Sequence, residues 1–288
     1  MIGVVVPAFN CANSAKRLVQ EIQELDFGPI YLIDDASDEH IRVPNHSGEG
    51  LHLIRNEENL GYSGSVLKGI NLALAAGCSA IATIDGDAAH RTEDLSVLAK
   101  SWVAEPDALL IGDRMASKSF LQLPTKMLAN QVSSSLVSLC FGGNTTQNRD
   151  VSSGLRVYHK DFAQSLIDRQ VERFGLCYSS IFWSLKSEFA MRWVPIEVNY
   201  SPIEFQFTKQ EEFCDLLAQL EVMNTLNFDL SKLSKLVRSN MNFNILLGEK
   251  SVFALFVSPY KGYIFREIEL SEFGCETVDL RRRSNYDL

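Results

Sequence analysis

The sequence is short of basic charge, of paired cysteines and of long apolar runs. Its 27 lysines and arginines face 36 aspartates and glutamates, a net charge of −9. That balance argues against a broad nucleic-acid footprint or a polybasic membrane patch. The six cysteines, at 11, 78, 140, 177, 214 and 275, form no C-x-x-C pair. With no secretory leader before them, they read as free thiols of a cytoplasmic protein. The apolar stretch Val252–Val257 falls far short of the roughly 18–20 residues a membrane span requires, so no transmembrane segment is expected. With only 8 prolines and 17 glycines against 46% hydrophobic residues, collagen-like and wholly disordered chains are excluded. The 288 residues allow one large domain, or one domain and an appendage, at roughly 100–200 residues each.

What is present is a βαβ rhythm. Strand-like runs at Gly3–Val6, Ile30–Ile33, Leu51–Ile54, Ala80–Ile84 and Ala108–Ile111 alternate with helical periods at Ser14–Leu25, Gly64–Ala76 and Thr92–Val103. Leu128–Leu139 reads as a further helix ahead of the breaker Gly142-Gly143-Asn144. Gly154–Tyr158 and Arg192–Val198 read as strands, with helical material at Asp161–Ile167 and Ser179–Phe189 between them. The expectation is an α/β domain over residues 1–200, a mostly parallel sheet flanked by helices. Residues 201–288 read as a small α+β appendage, with helices at Glu211–Leu220 and Leu230–Val237 and strands at Phe243–Leu247, Val252–Val257 and Tyr263–Ile268.

Ligands of open α/β sheets bind beyond the carboxyl ends of the strands. There the first strand offers Pro7-Ala8-Phe9-Asn10 rather than a G-x-G-x-x-G turn, which weakens a nicotinamide or flavin reading. The second offers Asp34-Asp35-Ala36-Ser37, and the fourth Asp85-Gly86-Asp87. Two carboxylates flanking one small residue suit Mg²⁺ or Mn²⁺, which would let an acidic protein bind a diphosphate. A solvated turn explains the same residues. Asp34 and Asp35 equally suit a turn or cap, or a base N–H or ribose hydroxyl. Asn59-Leu60-Gly61-Tyr62-Ser63-Gly64 opens a helix whose amides suit phosphate or sugar, or simply close packing.

Taken in order, these segments resemble glycosyltransferase family 2, whose members have the GT-A fold. Ile111-Gly112-Asp113-Arg114 and Asp150-Val151-Ser152-Ser153-Gly154-Leu155-Arg156-Val157-Tyr158 further resemble its branch of dolichyl-phosphate mannose synthases and polyprenyl-phosphate glycosyltransferases. The resemblance implies an inverting transfer of a sugar from a UDP- or GDP-linked donor to a lipid phosphate or glycan hydroxyl. It places Pro7, Ala8, Asn10, Asp34, Asp35, Asn59, Gly61, Asp85, Gly86, Asp87 and Arg114 at the nucleotide-sugar, with Asp85 and Asp87 at the metal. Asp150 is the candidate general base, needed unless the acceptor is an already anionic phosphate, and Arg156 meets phosphate or orients that aspartate; a structural salt bridge explains the same residues.

The chain departs from the branch in places. Ala89 stands where a metal-binding glutamine is common; the neighbouring His90 is the candidate replacement ligand, and a simply exposed loop histidine explains it equally. Arg91 stands where proline is common, and Asn199–Glu204 replaces a basic element that would grip a lipid phosphate. Flanking hydrophobic helices of the kind many relatives carry are absent, leaving peripheral membrane contact and homo-oligomer formation as open partner modes. A non-catalytic nucleotide-sugar binder or partner subunit is the alternative function. In the tail, Phe205, Phe207, Phe213, Leu216, Leu217 and Leu220 read as core or subunit interface and Arg281–Arg283 as a solvated end; Trp102, Trp183 and Trp193 read as core.

Overall fold

Strand β1 (Ile2–Ala8) is buried along its whole length, as its unbroken apolar run requires of a strand covered on both faces. Parallel neighbours β2 (Ile30–Asp34) and β4 (Ala80–Thr83) flank it, and β3 (Leu51–Arg55) adds to β2. With β5 (Ala108–Asp113), β6 (Arg156–His159) and β7 (Ala190–Pro195), the order is β3-β2-β1-β4-β6-β5-β7. This computed structural model describes residues 1–43, 50–121, 130, 133–134, 149–167 and 175–198, and the strands at 243–247, 251–258 and 262–269.

Helices cover both faces. Helix α1 (Ala12–Gln23) buries Ala15, Leu18, Val19 and Ile22, one stripe at helical spacing. With Leu95 and Leu98 of α3 (Thr92–Ala104), it packs on Val4, Val6, Leu32, Ala82 and Leu110. Helix α2 (Gly61–Ala75) covers the opposite face, packed against β1, β2 and β4. It also touches two later helices, which follow a single turn α4 (Lys118–Leu121): α5 (Lys160–Ile167) and α6 (Leu176–Lys186).

The sheet is mixed rather than wholly parallel: β6 runs antiparallel to both β4 and β5. Running that way, β6 starts at the end of the sheet where β5 stops, which brings Arg114, just past β5, within hydrogen-bond reach of Asp150, a few residues before β6. The last strand begins two residues earlier than its hydrophobic pattern suggests and stops at Pro195, because its register with β5 runs from Ala108↔Ala190 to Asp113↔Pro195. Val198 instead forms an isolated bridge with His90.

The chain divides into two units, residues 1–137 with 144–226, and residues 138–143 with 227–288. In the second, β8 (Phe243–Leu247), β9 (Ser251–Ser258) and β10 (Gly262–Glu269) form an antiparallel sheet. Most of the expected helix at 128–139, its glycine breaker, the helices expected at 211–220 and 230–237, the apolar stripe from Phe205, the segment 199–204 and Arg281–Arg283 lie outside the described residues. Among the described residues, no helix is long and apolar enough to cross a membrane.

One close approach fixes how α2 sits on the sheet: a Cβ on Gly69 would lie 2.3 Å from Val5 Cγ1. Gly69→Ala is therefore expected to cost about 1–3 kcal/mol through overpacking. Urea unfolding should show a lower midpoint at unchanged slope; an unchanged midpoint would contradict this packing.

Candidate active site at the strand ends

The expected site residues from β1, β2, β4 and β5 sit at or just beyond the strand ends, Asn59 and Gly61 at the start of α2, His90 shortly before α3, Asp150 before β6 and Arg156 at its first residue. Asn10, at φ 53°, latches the loop after β1 to the loop after β2. Its backbone N–H donates to Ser37 Oγ at 2.9 Å and its Nδ2 to Asp38 Oδ2 at 3.0 Å, while Asp38 N–H returns a bond to Asn10 Oδ1 at 2.8 Å. Pro7 and Ala8 contribute through their backbones: Gly86 N–H donates to Pro7 O at 3.1 Å and Asp35 N–H to Ala8 O at 2.9 Å.

Asp34 and Asp35 have different surroundings. Asp34 is buried and accepts from Arg55 Nη1 at 2.6 Å and from the Ser37 N–H at 3.0 Å. Burial opposes its charge, but the Ser37 and Arg55 hydrogen bonds outweigh it and hold the carboxyl below its ordinary range. Asp35 Oδ1 accepts from Asn56 Nδ2 and from the Leu60 N–H, each at 2.8 Å. Asn59 braces the same corner, donating to Asp35 O at 3.4 Å and accepting from Gly61 N–H at 3.1 Å. Gly61, at φ 72°, begins α2 there.

Asn56 is a residue that the sequence reading missed. It is buried, joins Asp35 to Ser65 Oγ at 2.9 Å, and accepts from Lys68 Nζ at 2.7 Å. Its signal was available, since it directly follows β3 just as the other polar residues follow their strands.

Beyond β4, the ladder with β1 continues through Ile84 N–H to Val5 O and Gly86 N–H to Pro7 O, both 3.1 Å. A Cβ on Gly86 would lie 2.8 Å from Pro7 O, so only glycine lets Asp85 and Asp87 flank this close approach. The Asp85 side chain keeps 30% of its surface exposed and stands 3.7 Å from His90 Nε2. Asp87 is exposed, and its Oδ1 accepts from Ala89 N–H at 2.9 Å. His90 itself is buried. Arg91 turns away from this site to fork Asp94 at 3.0 and 2.9 Å.

Among the described residues, no three His, Cys, Asp or Glu side chains converge as a metal cluster. The donors present, Asp85 and Asp87 with His90 beside them, nevertheless suit Mg²⁺ or Mn²⁺, hard ions often held by one or two carboxylates together with substrate phosphates.

Asp150 is fully buried and gripped by Arg114 rather than Arg156. Arg114 Nη2 donates to its Oδ1 at 2.8 Å, the Arg114 N–H and Nε both donate to Oδ2, and the Ser152 N–H adds a bond to Oδ1 at 3.2 Å. Burial would raise the Asp150 pKa, but the Arg114 charge and hydrogen bonds outweigh it and depress it. Arg156, also fully buried, spends its donors on Val151 O, Ser153 O, Cys177 O and Ser180 Oγ. This corrects the expectation that Arg156 meets phosphate or orients Asp150. Beside this pair, half-exposed Arg149 reaches Asp113 Oδ2 at 3.3 Å.

A carboxyl with a depressed folded pKa stabilises the fold fully above its unfolded value, about 3.9, and loses that contribution as pH falls through the lower folded value. Asp150→Asn, which strands a buried Arg114, is expected to cost about 3–5 kcal/mol at pH 7. The gap to wild type should narrow below about pH 4. Denaturant unfolding across pH measures this, and a gap equal at pH 7 and pH 3 would contradict the assignment.

The sequence model described as glycosyl transferase family 2 matches residues 3–167. The chain is 22% identical over 219 residues to the UDP-N-acetylglucosamine–dolichyl-phosphate N-acetylglucosaminyltransferase of Methanococcus voltae, covering 70% of this chain and 86% of that protein. It is 27% identical over 203 residues to an uncharacterised protein of Methanocaldococcus jannaschii, covering 69% and 82%. The crystal structure of residues 1–349 of S. aureus TarS with UDP-GlcNAc aligns at a TM-score of 0.48 and 14% identity, over 82% of this chain and 70% of that one. Because the family's sequence model extends over more than half of the residues, from β1 through α5, the chain belongs to glycosyl transferase family 2.

Proposed function

We propose that this chain transfers a sugar from a UDP- or GDP-linked donor to a polyprenyl phosphate, with inversion at the anomeric carbon. The observation that carries the donor half is the seating of Asp85 and Asp87 against Pro7 of β1, with Asp35 at the end of the neighbouring strand. Asp35 is the candidate contact for the nucleoside, where α2 begins, and Asp87 and Asp85 are the candidate metal ligands at the diphosphate. A divalent ion bound there would offset charge on the diphosphate leaving group.

The acceptor half rests on Asp150. Transfer to a hydroxyl needs a base within reach of its proton, and this carboxylate is buried with both oxygens engaged by Arg114. A phosphate acceptor is already anionic and needs no such base. The Methanococcus relative is named for a dolichyl-phosphate acceptor, which supports the same choice.

Titrating the protein with UDP-, GDP- and dTDP-sugars, with and without Mn²⁺, tests the donor half. Binding strengthened by Mn²⁺ is expected for at least one donor, and silence across the panel from folded protein sinks the reading. Asp87→Ala should lose at least ~10-fold of that Mn²⁺-dependent affinity, the scale on which metal and diphosphate contacts act. Transfer to a short polyprenyl phosphate but not to the matching alcohol is the expected acceptor result. Donor binding without transfer to either would favour a non-catalytic nucleotide-sugar binder.

A further inference from the structure

Gly154 belongs to the Ser153-Gly154-Leu155-Arg156 segment, to which the proposed transfer gives no part, yet it touches Asp85, one of the two candidate metal ligands. A Cβ built on it would lie 2.3 Å from Asp85 Oδ1, 2.4 Å from Oδ2 and 2.7 Å from Cγ. The Asp85 carboxylate thus lies against bare backbone on this side. His90 Nε2, 3.7 Å from Oδ2, stands against it as well.

The backbone that makes this wall is itself held in place. Thr83 Oγ1, two residues before Asp85, donates to Gly154 O at 2.7 Å. Arg156 clamps the turn leading to Gly154 through Val151 O at 2.9 Å and Ser153 O at 2.8 Å, and ties it to α6 through Cys177 O at 2.8 Å. A guanidinium buried this completely is costly unless its donors are satisfied. Here the donors act on backbone carbonyls, so the charge fixes the path of the chain rather than meeting a ligand.

We propose that Gly154 is a positioning residue for Asp85, supported by Thr83 and Arg156. It confines the carboxylate to the orientation in which it meets a divalent cation brought with the donor diphosphate. The inference rests on the metal-and-nucleotide reading given under Proposed function, and deepens it. Any side chain at 154 would push Asp85 out of that orientation while leaving Asp35 and the nucleoside corner untouched, since these are built on β2, β3 and α2.

The experiment compares Gly154→Ala with Gly69→Ala, which meets an equal 2.3 Å clash with Val5 Cγ1 in the packing under α2. Calorimetric titration with Mn²⁺ plus UDP and Mn²⁺ plus GDP, each repeated without metal, is run alongside melting curves. Gly154→Ala should weaken the Mn²⁺-dependent binding by ~10-fold or more, the range for groups that orient metal ligands, with metal-free nucleotide binding unchanged. Gly69→Ala should lower Tm alone. Thr83→Val, which removes only the hydroxyl held by Gly154 O, should lose part of the Mn²⁺-dependent affinity and Thr83→Ser restore it. This pair decides the matter where Gly154→Ala does not fold.

Mn²⁺ affinity unchanged in both Gly154→Ala and Thr83→Val overturns the proposal and leaves the donor reading intact. So does an equal loss in Gly69→Ala, which marks general loosening. Wild-type protein whose nucleotide binding ignores Mn²⁺ overturns the metal reading itself, and the positioning role with it.

Discussion

The cost of burying carboxylates at the strand ends of one sheet is the constraint on which the rest of this structure depends. Asp34, Asp35, Asp113 and Asp150 are buried there, and Asp85 is mostly so. Each has a different partner: Arg55 for Asp34, Asn56 and the start of α2 for Asp35, His90 for Asp85, Arg149 for Asp113 and Arg114 for Asp150. Buried charge is tolerated only with such compensation. Asp87, exposed beside Asp85, accepts only a local N–H that the structure records, which leaves it the carboxylate best placed for a ligand from solution.

Those partners also tie the separate strand ends to one another. Arg55 and Asn56 carry β3 to β2, the ladder from Pro7 to Gly86 carries β1 to the Asp85 loop, and Ser14 Oγ adds a bond to Gly86 O at 2.9 Å. Gly154 and Thr83 extend the chain of contacts to β6, where Arg114 and Asp150 close it. Hydrogen bonds of this kind orient side chains more than they add stability, because each replaces a bond to water. Their effect is to leave these carboxylates few rotamers.

Much of this was legible in the linear sequence. The apolar run Gly3–Val6 announces β1, the spacing of Leu18 and Ile22 announces α1, and the acidic residues after Ile33 and Ile84 mark where ligands of an open sheet are met. Boundaries moved by a few residues where pairing or packing overrode the local pattern, as with β7, whose extent follows its register with β5. Asn56 was missed because a lone asparagine after a strand looks like any turn residue until its three partners are seen together.

The sequence by itself determined which chemical groups would stand at the strand ends, because hydrophobic periodicity places the ends and the residues there are polar. Only the tertiary structure decided how those groups are paired. Arg156 lies in the same motif as Asp150 and Arg114 in another, yet it is Arg114 that closes on the carboxylate while Arg156 is folded away among backbone carbonyls. That choice turns on β6 running antiparallel between β4 and β5, which sets Arg114 beside Asp150 across 36 residues of chain. Periodicity reports which face a residue occupies; which distant partner shares that face depends on the direction and order of the strands.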